Sequence, residues 1–317
     1  MSDRTRIAGA FAIIYLVWGV TFLAIRLVVA EIPPLATVAI RCAAGALILF
    51  AWLAVRRQLE PTSARQWAAA GASGFLLFLA AHSVLAWAEI NLPSSQAALL
   101  LTAIPAWLVV LESLRVRALP SRRILAGLLL GTGGVALLTA GNASGGGTLE
   151  RIALVFSALA WAAGSLLARH SARPASVAQG TAMQLGAGAV VVSLASIATG
   201  ELATWNAAAT SPRAFGALGF LVLGGTVAGF GAYTWLLRVV SPAAVGTYAF
   251  VNPVIAVGLA WLVGDDTPSR LTAVAAALVL SAVVLINQPL SGRMALARLA
   301  RFMRREPAKQ SCPSLPA

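Results

Sequence analysis

Long apolar segments, separated by short polar stretches, follow one another along most of the 317-residue chain. Each has 17 to 24 residues, which suits an α-helix that crosses a hydrocarbon core about 30 Å thick. The first is longer than the apolar part of a signal peptide, so we expect a span rather than a cleaved leader. The pattern predicts ten membrane-spanning helices, over residues 7–29, 35–55, 67–88, 94–114, 124–140, 152–168, 177–199, 214–237, 243–263 and 271–287.

The composition also indicates a membrane protein. Hydrophobic residues make up 59% of the chain and charged residues 10%, and the mean hydropathy is +0.86. Soluble domains usually carry about 25% charged residues, so a water-soluble fold could not cover its surface with this sequence. One cysteine, Cys42, falls in the second predicted span and the other, Cys312, in the C-terminal tail, which predicts neither a disulfide nor a metal site. We expect no metal and no cofactor.

The basic residues gather on one side of the predicted membrane. If the N-terminus is cytoplasmic, the inner loops and tails hold 18 of the 23 lysines and arginines, and the outer loops hold three. The positive-inside rule therefore predicts that both termini are cytoplasmic. The basic tail, residues 289–317, is expected to lie on anionic lipid. The net charge is +13, but no nucleic-acid-binding fold surrounds the tail, so we expect no nucleic-acid partner.

The two halves of the chain resemble each other. In each half a tryptophan is followed eight residues later by an arginine, as Trp18–Arg26 and as Trp161–Arg169, and "LLLTAIPAWL" (99–108) corresponds to "TYAFVNPVIA" (247–256). Because five is odd, a second copy of five helices enters the membrane from the opposite side, as in many secondary transporters. We predict an all-α integral membrane fold, with ten transmembrane helices as two inverted-topology five-helix repeats around a central cavity. The repeats would be residues 1–140 and 152–288, joined by an outer linker at 141–151.

Two stretches of the chain resemble a known family. "VWGVTFLAIRLVV…PPLATVAIRCAAGALIL" and "RVVSPAAVGTYAFVNPVIAVGLAWLVGDD" are similar to EamA-type permeases of the drug/metabolite transporter superfamily, in particular to the YedA-like branch, over residues 7–288. The resemblance implies a multi-pass protein of the bacterial inner (plasma) membrane with cytoplasmic ends, which exports or exchanges small metabolites. Members often carry Gly-Glu at the end of the fourth span, where this chain has Val116-Arg117.

Two prolines are expected to kink helices that line the cavity. Pro105 and Pro253 lie mid-span, where each removes a backbone donor and frees the carbonyl four residues earlier, at Leu101 and Ala249. Protein or cavity water must meet a freed carbonyl in hydrocarbon, so the kinks should face the interior. Polar and aromatic residues near them are candidates for binding a small organic solute. The candidate substrate-binding residues are Tyr15, Trp18, Thr21, His82, Thr102, Trp161, Ser165, Gln184, Tyr248 and Asn252, and a wider inventory adds Gln96, Tyr233 and Thr247.

Charged residues inside the spans need a partner or a route to the membrane surface. Arg26 lies near the end of its span and can extend to the outer headgroups, whereas Arg41 is deeper. We expect Arg41 to pair with Glu89 or Glu31, or with an anionic group of the substrate; a pairing within the protein is favoured. His82 is the one histidine in a predicted span, and packing is favoured over a proton relay. No carboxylate falls at the membrane midplane, so the coupling of transport to an ion stays open.

The sequence favours one function among three. A secondary permease that moves small metabolites, such as amino acids or drug-like solutes, by alternating access accounts for the repeat and for the polar residues in mid-membrane. The alternative is an integral-membrane enzyme that acts on lipid or lipid-linked substrates, but the chain has no HExxH or GxSxG motif. A channel or a structural subunit does not account for an inverted duplication. The expected partners are a small-molecule substrate and the bilayer, and a homodimer is left open.

Overall fold

The computed structural model describes residues 3–92, 94–139, 147–263 and 270–287, and these residues form helices without any strand. The predicted tail and residues 141–146 of the predicted linker lie outside the described residues. Two short helices, Glu201–Thr204 and Ala207–Ala209, lie between α7 and α8 of the following series. The long helices are α1 (Asp3–Val29), α2 (Pro34–Val55), α3 (Ala64–Ala88), α4 (Ser94–Leu101 and Ala103–Val116), α5 (Arg122–Thr139), α6 (Thr148–His170), α7 (Val177–Ala198), α8 (Pro212–Val239), α9 (Pro242–Gly246 and Tyr248–Val263) and α10 (Arg270–Asn287).

Within the described ranges, seven helices are long and apolar enough to cross a membrane. They are α1, α2, α3, α4 (over Gln96–Val116), α6, α7 and α8. A shorter apolar helix, Ala273–Asn287, lies within α10. The all-helical, membrane-type fold expected from the sequence is confirmed, and the count of ten spans stays a prediction.

Serine caps and prolines set where several helices begin. The hydroxyl oxygen of each capping serine accepts a hydrogen bond from the backbone N–H three residues later, which satisfies a donor that has no partner inside the helix. Prolines occupy the first position of α2, α8 and α9, where their missing N–H costs nothing. The capping serines are Ser63, Ser176, Ser211 and Ser241.

The middle parts of α3 and α8 are π-helical, over Phe75–Ser83 and Leu221–Phe230. In a π-helix the backbone bonds run over five residues, and such turns are rare and frequent at functional sites. Side chains follow the same spacing: the Ser83 hydroxyl donates to the Phe78 carbonyl at 2.9 Å, and the Thr226 hydroxyl donates to the Leu221 carbonyl at 2.9 Å. The two segments begin 146 residues apart, close to the 143 to 148 residues that separate the repeated motifs.

Two further helices are interrupted at a threonine. In α4 the interruption falls at Thr102, and in α9 it falls at Thr247. Each hydroxyl donates to the carbonyl three residues earlier at 2.6 Å. Pro105, three residues after Thr102, has no N–H to continue the helix, which accounts for the interruption in α4. Pro253 lies within the second piece of α9, six residues after Thr247.

The helices of the first half pack mainly on helices of the second half. Helix α1 packs against α8 and α9, α2 against α7 and α8, α3 against α6 and α7, and α4 against α6 and α9. A main apolar core runs through these contacts and includes Trp18, Trp161, Tyr233 and Tyr248. The core therefore lies between the two halves, which places polar side chains from both halves around one interior region.

Candidate functional site

A cavity lies where α1, α2, α3 and α4 meet α6 and α9, and we call it the central cavity. Its volume is about 60 Å³, which gives room for about four water molecules. The polar and aromatic residues that line it are Trp18, Thr21, Arg41, His82, Ser157, Trp161, Tyr248 and Asn252. The rest of its walls are apolar and include Phe22, Ile25 and Leu85. Six of the ten candidate substrate-binding residues thus line one cavity.

Four aromatic rings pack together beside the central cavity, and we call them the aromatic cluster: Trp18, Trp161, Tyr233 and Tyr248. The ring centroid of Trp18 lies 4.8 Å from that of Tyr248 and 5.2 Å from that of Tyr233. Trp161 lies 5.3 Å from Tyr233, and the two tryptophans meet edge to face at 5.8 Å. Such pairs are worth about 0.5–1.5 kcal/mol each beyond their buried area. The two tryptophans of the repeated motif are therefore in direct contact.

Hydrogen bonds fix the aromatic cluster. The indole N–H of Trp18 donates to the Gly225 carbonyl at 3.0 Å. The Ser165 hydroxyl donates to the Trp161 carbonyl at 2.6 Å, and its oxygen lies 2.6 Å from the Tyr233 hydroxyl. Because a serine has one hydroxyl proton, Tyr233 must be the donor to Ser165. Ser165 therefore supports the cluster from behind and does not line the cavity.

Two buried polar atoms at the central cavity lack a hydrogen-bond partner among the described residues. They are the indole nitrogen of Trp161, which lies beside the Tyr233 and Tyr248 hydroxyls without forming a regular bond, and the side-chain oxygen of Asn252. Asn252 is only 2% exposed. A buried donor or acceptor without a partner costs about 1–3 kcal/mol. The residues that line the cavity therefore include one donor and one acceptor that the described part of the protein leaves without a partner.

Arg41 brings a cation to the same cavity. It is 6% exposed, and its Nε donates to the hydroxyl of Thr226 in the π-helical segment of α8 at 3.3 Å. In the part of the chain that the structure describes, no ion pair joins Arg41 to Glu89 or to Glu31. The two expected carboxylate partners are therefore not in contact with Arg41, and its guanidinium faces the cavity without a countercharge at contact distance.

Glu31 has a different role from the one considered for it. It lies between α1 and α2, and its carboxylate accepts hydrogen bonds from the backbone N–H and the hydroxyl of Ser211, both at 2.6 Å. These bonds favour the ionised form and hold the pKa of Glu31 below its ordinary range. Glu31 therefore ties the α1–α2 connection to the start of α8.

His82 lies in the π-helical segment of α3 and lines the central cavity. Its Nδ1 is 3.2 Å from the Leu77 carbonyl oxygen, and its ring centroid is 4.9 Å from that of Trp161. Since a carbonyl only accepts, Nδ1 carries a proton in this bond. The side chain is thus held by its own helix and by packing on Trp161.

The remaining candidates lie outside the central cavity. Tyr15 is 2.7 Å from the Thr247 hydroxyl, at the interruption of α9, and Thr102 bonds its own helix. Gln184 lines a second cavity of about 30 Å³ together with Arg169 and Arg238. The structure therefore separates these residues from the six that share the central cavity.

The two kinks and the outer arginine lie near the positions expected for them. Leu101 and Ala249, whose carbonyls Pro105 and Pro253 should free, both line the central cavity. Arg26 is exposed in the last turn of α1. The prolines thus fall where unmet carbonyls would face cavity rather than lipid, which fits the expectation that irregular backbone in a membrane faces an interior space.

The amino-acid sequence matches a known protein family in both of its halves. The profile of the EamA-like transporter family matches residues 6–140 and, a second time, residues 149–288. The chain belongs to the EamA-like transporter family.

Relatives of this EamA-family chain include bacterial membrane proteins. It is 32% identical over 281 residues to "Uncharacterized inner membrane transporter YedA" of Escherichia coli (strain K12), with 88% of this chain and 90% of that protein covered. The proteins of the same name from Escherichia coli O6:H1 and O157:H7 match equally. A solved crystal structure, described only as that of a protein, has a TM-score of 0.73 at 20% identity and covers 94% of this chain and 99% of its own, which shows the fold alone. The resemblance to EamA-type, YedA-like permeases is confirmed.

Sequence reasoning missed Thr226 in this EamA-family chain. The stretch "GTVAG" (225–229) reads as a small-residue packing motif, yet its threonine holds Arg41 and its first glycine accepts from Trp18. A hydroxyl between glycines in a span was the available signal, because glycines let another helix approach closely enough for its side chains to reach. Ser157, which donates to the Ala81 carbonyl at 3.1 Å, was missed as well.

Proposed function

We propose that the chain is a secondary transporter that moves a small metabolite, such as an amino acid or a drug-like organic solute, across the bacterial inner membrane by alternating access. The solute binds in the central cavity. What carries this proposal is a pair of buried polar atoms without a partner among the described residues, on Trp161 and Asn252, two residues that line the same cavity as Arg41. Each of them can form a hydrogen bond with a bound solute, and this bond costs none of the protein's own hydrogen bonds.

Ten spans in two inverted five-helix repeats, residues 1–140 and 152–288, are part of the proposal. The packing supports it: α1 lies on α8 and α9, and α6, its counterpart, lies on α3 and α4. Two pairs, α2 with α7 and α4 with α9, join each helix to its own counterpart. The π-helical segments of α3 and α8 and the interruptions of α4 and α9 also recur between the halves. A two-fold relation between the repeats would produce all of these pairs.

Alternating access follows from such a pair of repeats. If the repeats exchange their conformations, the cavity opens to the other side while the residues near the two-fold axis stay in place. The contact of Trp18 with Trp161, one from each copy of the repeated motif, is what this axis predicts. Solute would then stay beside the aromatic cluster while the helices around it rearrange.

The proposed orientation puts both termini and the basic tail 289–317 in the cytoplasm, and the linker 141–151 outside. Single cysteines, placed in a variant that lacks Cys42 and Cys312, would test this with a membrane-impermeant thiol reagent in whole cells. Labelling is expected at a linker cysteine and not at a tail cysteine until the cells are opened. Labelling of both from the same side would contradict the inverted repeat.

Transport itself is tested with the purified chain in proteoliposomes, with a panel of labelled amino acids and a cationic dye as probes. Trp161→Phe removes the indole donor and keeps an aromatic ring, and Asn252→Ala removes the unmet acceptor. Each is expected to lower the rate at low solute concentration by roughly tenfold, the value of one hydrogen bond to the solute. Trp52→Phe, at an exposed position on α2, and Gln58→Ala, at an exposed position after α2, are the matched controls.

The flux measurements show whether solute binds in the central cavity. Flux in wild type and in both controls, together with reduced flux in Trp161→Phe and Asn252→Ala, supports the proposal. Normal flux in all four variants would remove the central cavity as the binding site. An absence of flux for every probe, with release of a product from a lipid substrate instead, would favour the membrane enzyme.

A further inference from the structure

Glu89 is a buried carboxylic acid without a hydrogen-bond partner. It follows the last residue of α3, is 1% exposed, and neither side-chain oxygen accepts a hydrogen bond from any described residue. Buried carboxylates are normally paired or hydrogen-bonded, because burial of an isolated charge is very costly. The third predicted span ends at residue 88, and the sequence suggested Glu89 only as a partner for Arg41.

The charged groups around Glu89 come from each helix that packs on the end of α3. Helix α1 supplies Arg26 and helix α2 supplies Arg41, and both act on Glu89 electrostatically from beyond ion-pair distance. Helix α6 carries Glu150, which accepts from Asn91 at 3.1 Å. It also carries Arg151, which reaches Gln96 at 3.5 Å. On α3 itself His82 lies two turns earlier and bonds the Leu77 carbonyl.

These surroundings fit the protonated acid better than the carboxylate. No N–H or O–H of the described residues donates to either oxygen, and the carboxyl lies at the C-terminal end of a helix, where the helix dipole opposes negative charge. Neither arginine touches it. In this arrangement a proton on Glu89 removes the cost of a buried charge without breaking any bond in the protein.

Arg41 offers the ionised form an alternative. Its only bond in the described part of the chain is the 3.3 Å contact from Nε to Thr226. Glu89 and Arg41 belong to helices that pack on each other, and each acts on the other electrostatically. If the long Arg41 side chain turns toward the end of α3, it leaves Thr226 and the cavity for Glu89. Glu89 would then ionise, because a paired carboxylate is favoured over a paired neutral acid.

We propose that Glu89 is the proton-binding residue of the transport cycle, protonated while the Arg41 guanidinium lies at the central cavity and ionised when Arg41 turns to pair with it. The inference rests on the proposed function. An anionic group of the solute that engages Arg41 takes away the partner of Glu89, so bound solute favours the protonated form in the pH range where Glu89 of the solute-free protein ionises. The proton comes from the bulk aqueous phase to which the cavity is open. By linkage, the effect of each ligand on the other is equal.

Infrared spectroscopy tests the protonation of Glu89 without a substrate. The full chain in detergent, at neutral pH, is expected to show the C=O stretch of a protonated carboxylic acid, which a carboxylate lacks. The band should be absent in Glu89→Gln, whose side chain has nearly the shape of the neutral acid, and present in the control Glu60→Gln, at an exposed position. A wild-type spectrum without the band, or a Glu89→Gln spectrum that keeps it, overturns the proposal.

Flux measurements test the coupling. With the amino-acid panel in proteoliposomes, an imposed pH gradient should change wild-type and Glu60→Gln flux, whereas Glu89→Gln should exchange solute regardless of the gradient. In the range where Glu89 ionises, the half-saturating concentration of an anionic solute should rise up to about tenfold per pH unit in wild type and stay constant in Glu89→Gln. Wild-type flux that ignores the gradient overturns the proposal and leaves the proposed function intact. A chain that moves none of the probes fails the proposed function, and the infrared result still decides the state of Glu89.

Discussion

Replacement of Gly74 by alanine should weaken the packing of α3 on α7. A Cβ atom at Gly74 would lie 2.8 Å from the backbone oxygen of Gln184 and 3.0 Å from the backbone nitrogen of Gly188, both in α7. Real Cβ atoms essentially never approach another heavy atom within 3.0 Å. Since both close atoms belong to the backbone of one helix, no side-chain rotation relieves the contact, and the two helices must move apart.

A matched variant isolates the cost. Gly71, three residues earlier in α3, would have no heavy atom within 4 Å of an added Cβ. Both substitutions gain the same helix propensity, up to about 1 kcal/mol. Overpacking in a close-packed interior costs about 1–3 kcal/mol, so Gly74→Ala should be less stable than Gly71→Ala by about that amount, while Gly71→Ala should match or exceed wild type.

Thermal unfolding of the purified variants in one detergent, followed by the loss of the monomer peak in size-exclusion chromatography, measures the difference. Gly74→Ala is expected to unfold at least about 2 °C below Gly71→Ala, since 1 kcal/mol shifts the Tm of a large domain by about 2–4 °C. Equal melting temperatures would refute the close approach of α3 and α7 from which the cost is worked out.

Two further predictions concern single hydrogen bonds. Ser165→Ala leaves the buried Tyr233 hydroxyl without its acceptor and should lower the free energy of unfolding by about 1–3 kcal/mol. Tyr233→Phe should cost less, and adding Ser165→Ala to Tyr233→Phe should cost little more. If the two losses of stability add up in thermal unfolding, the hydrogen bond is contradicted. Glu31→Gln loses a group whose pKa is lowered by Ser211 in the folded state. The stability that Glu31 adds is therefore fully present above about pH 5 and lost as the pH falls through its lowered pKa. The Tm of wild type and that of Glu31→Gln should differ at neutral pH and converge in acid. A Tm difference that does not change with pH would exclude this linkage.

Helix positions follow from the sequence because the membrane imposes length and apolar character on each span. The prediction 177–199 corresponds to Val177–Ala198, and 35–55 corresponds to Pro34–Val55. The π-helical segments could not be predicted in this way. A π turn is poorer for the isolated helix than an α turn, so it forms only where contacts with other helices compensate, as where the α8 segment lies against α1 and α2.

The sequence predicts the position of each candidate residue along its helix, but not which face of the helix carries it. Trp18 and Trp161 could be paired because they recur at one position of a repeat, and Asn252 because it stands beside a kink. Tyr15 and Gln184 also lie within predicted spans, but Tyr15 contacts Thr247 and Gln184 lines the second cavity. In a helix that is apolar on every side, the sequence carries no stripe that says which face is interior, so only the packed structure separates them.

The proposed function requires that the central cavity bind solute weakly enough to release it. Two polar atoms without a partner, worth about 1–3 kcal/mol each, can supply at most roughly 2–6 kcal/mol toward binding, which corresponds to a factor between about 30 and 10⁴ in affinity. Much tighter binding would slow release on the far side, since transport requires that both end states give up the solute. If Arg41 were permanently paired with Glu89, its charge would add little to the affinity for an anionic solute. An Arg41 side chain that moves between Glu89 and the cavity would raise that affinity while Glu89 is protonated and lower it when Glu89 ionises. The proposed change of partner requires a state in which Glu89 and Arg41 are not paired with each other. A purely structural ion pair would not show such a state.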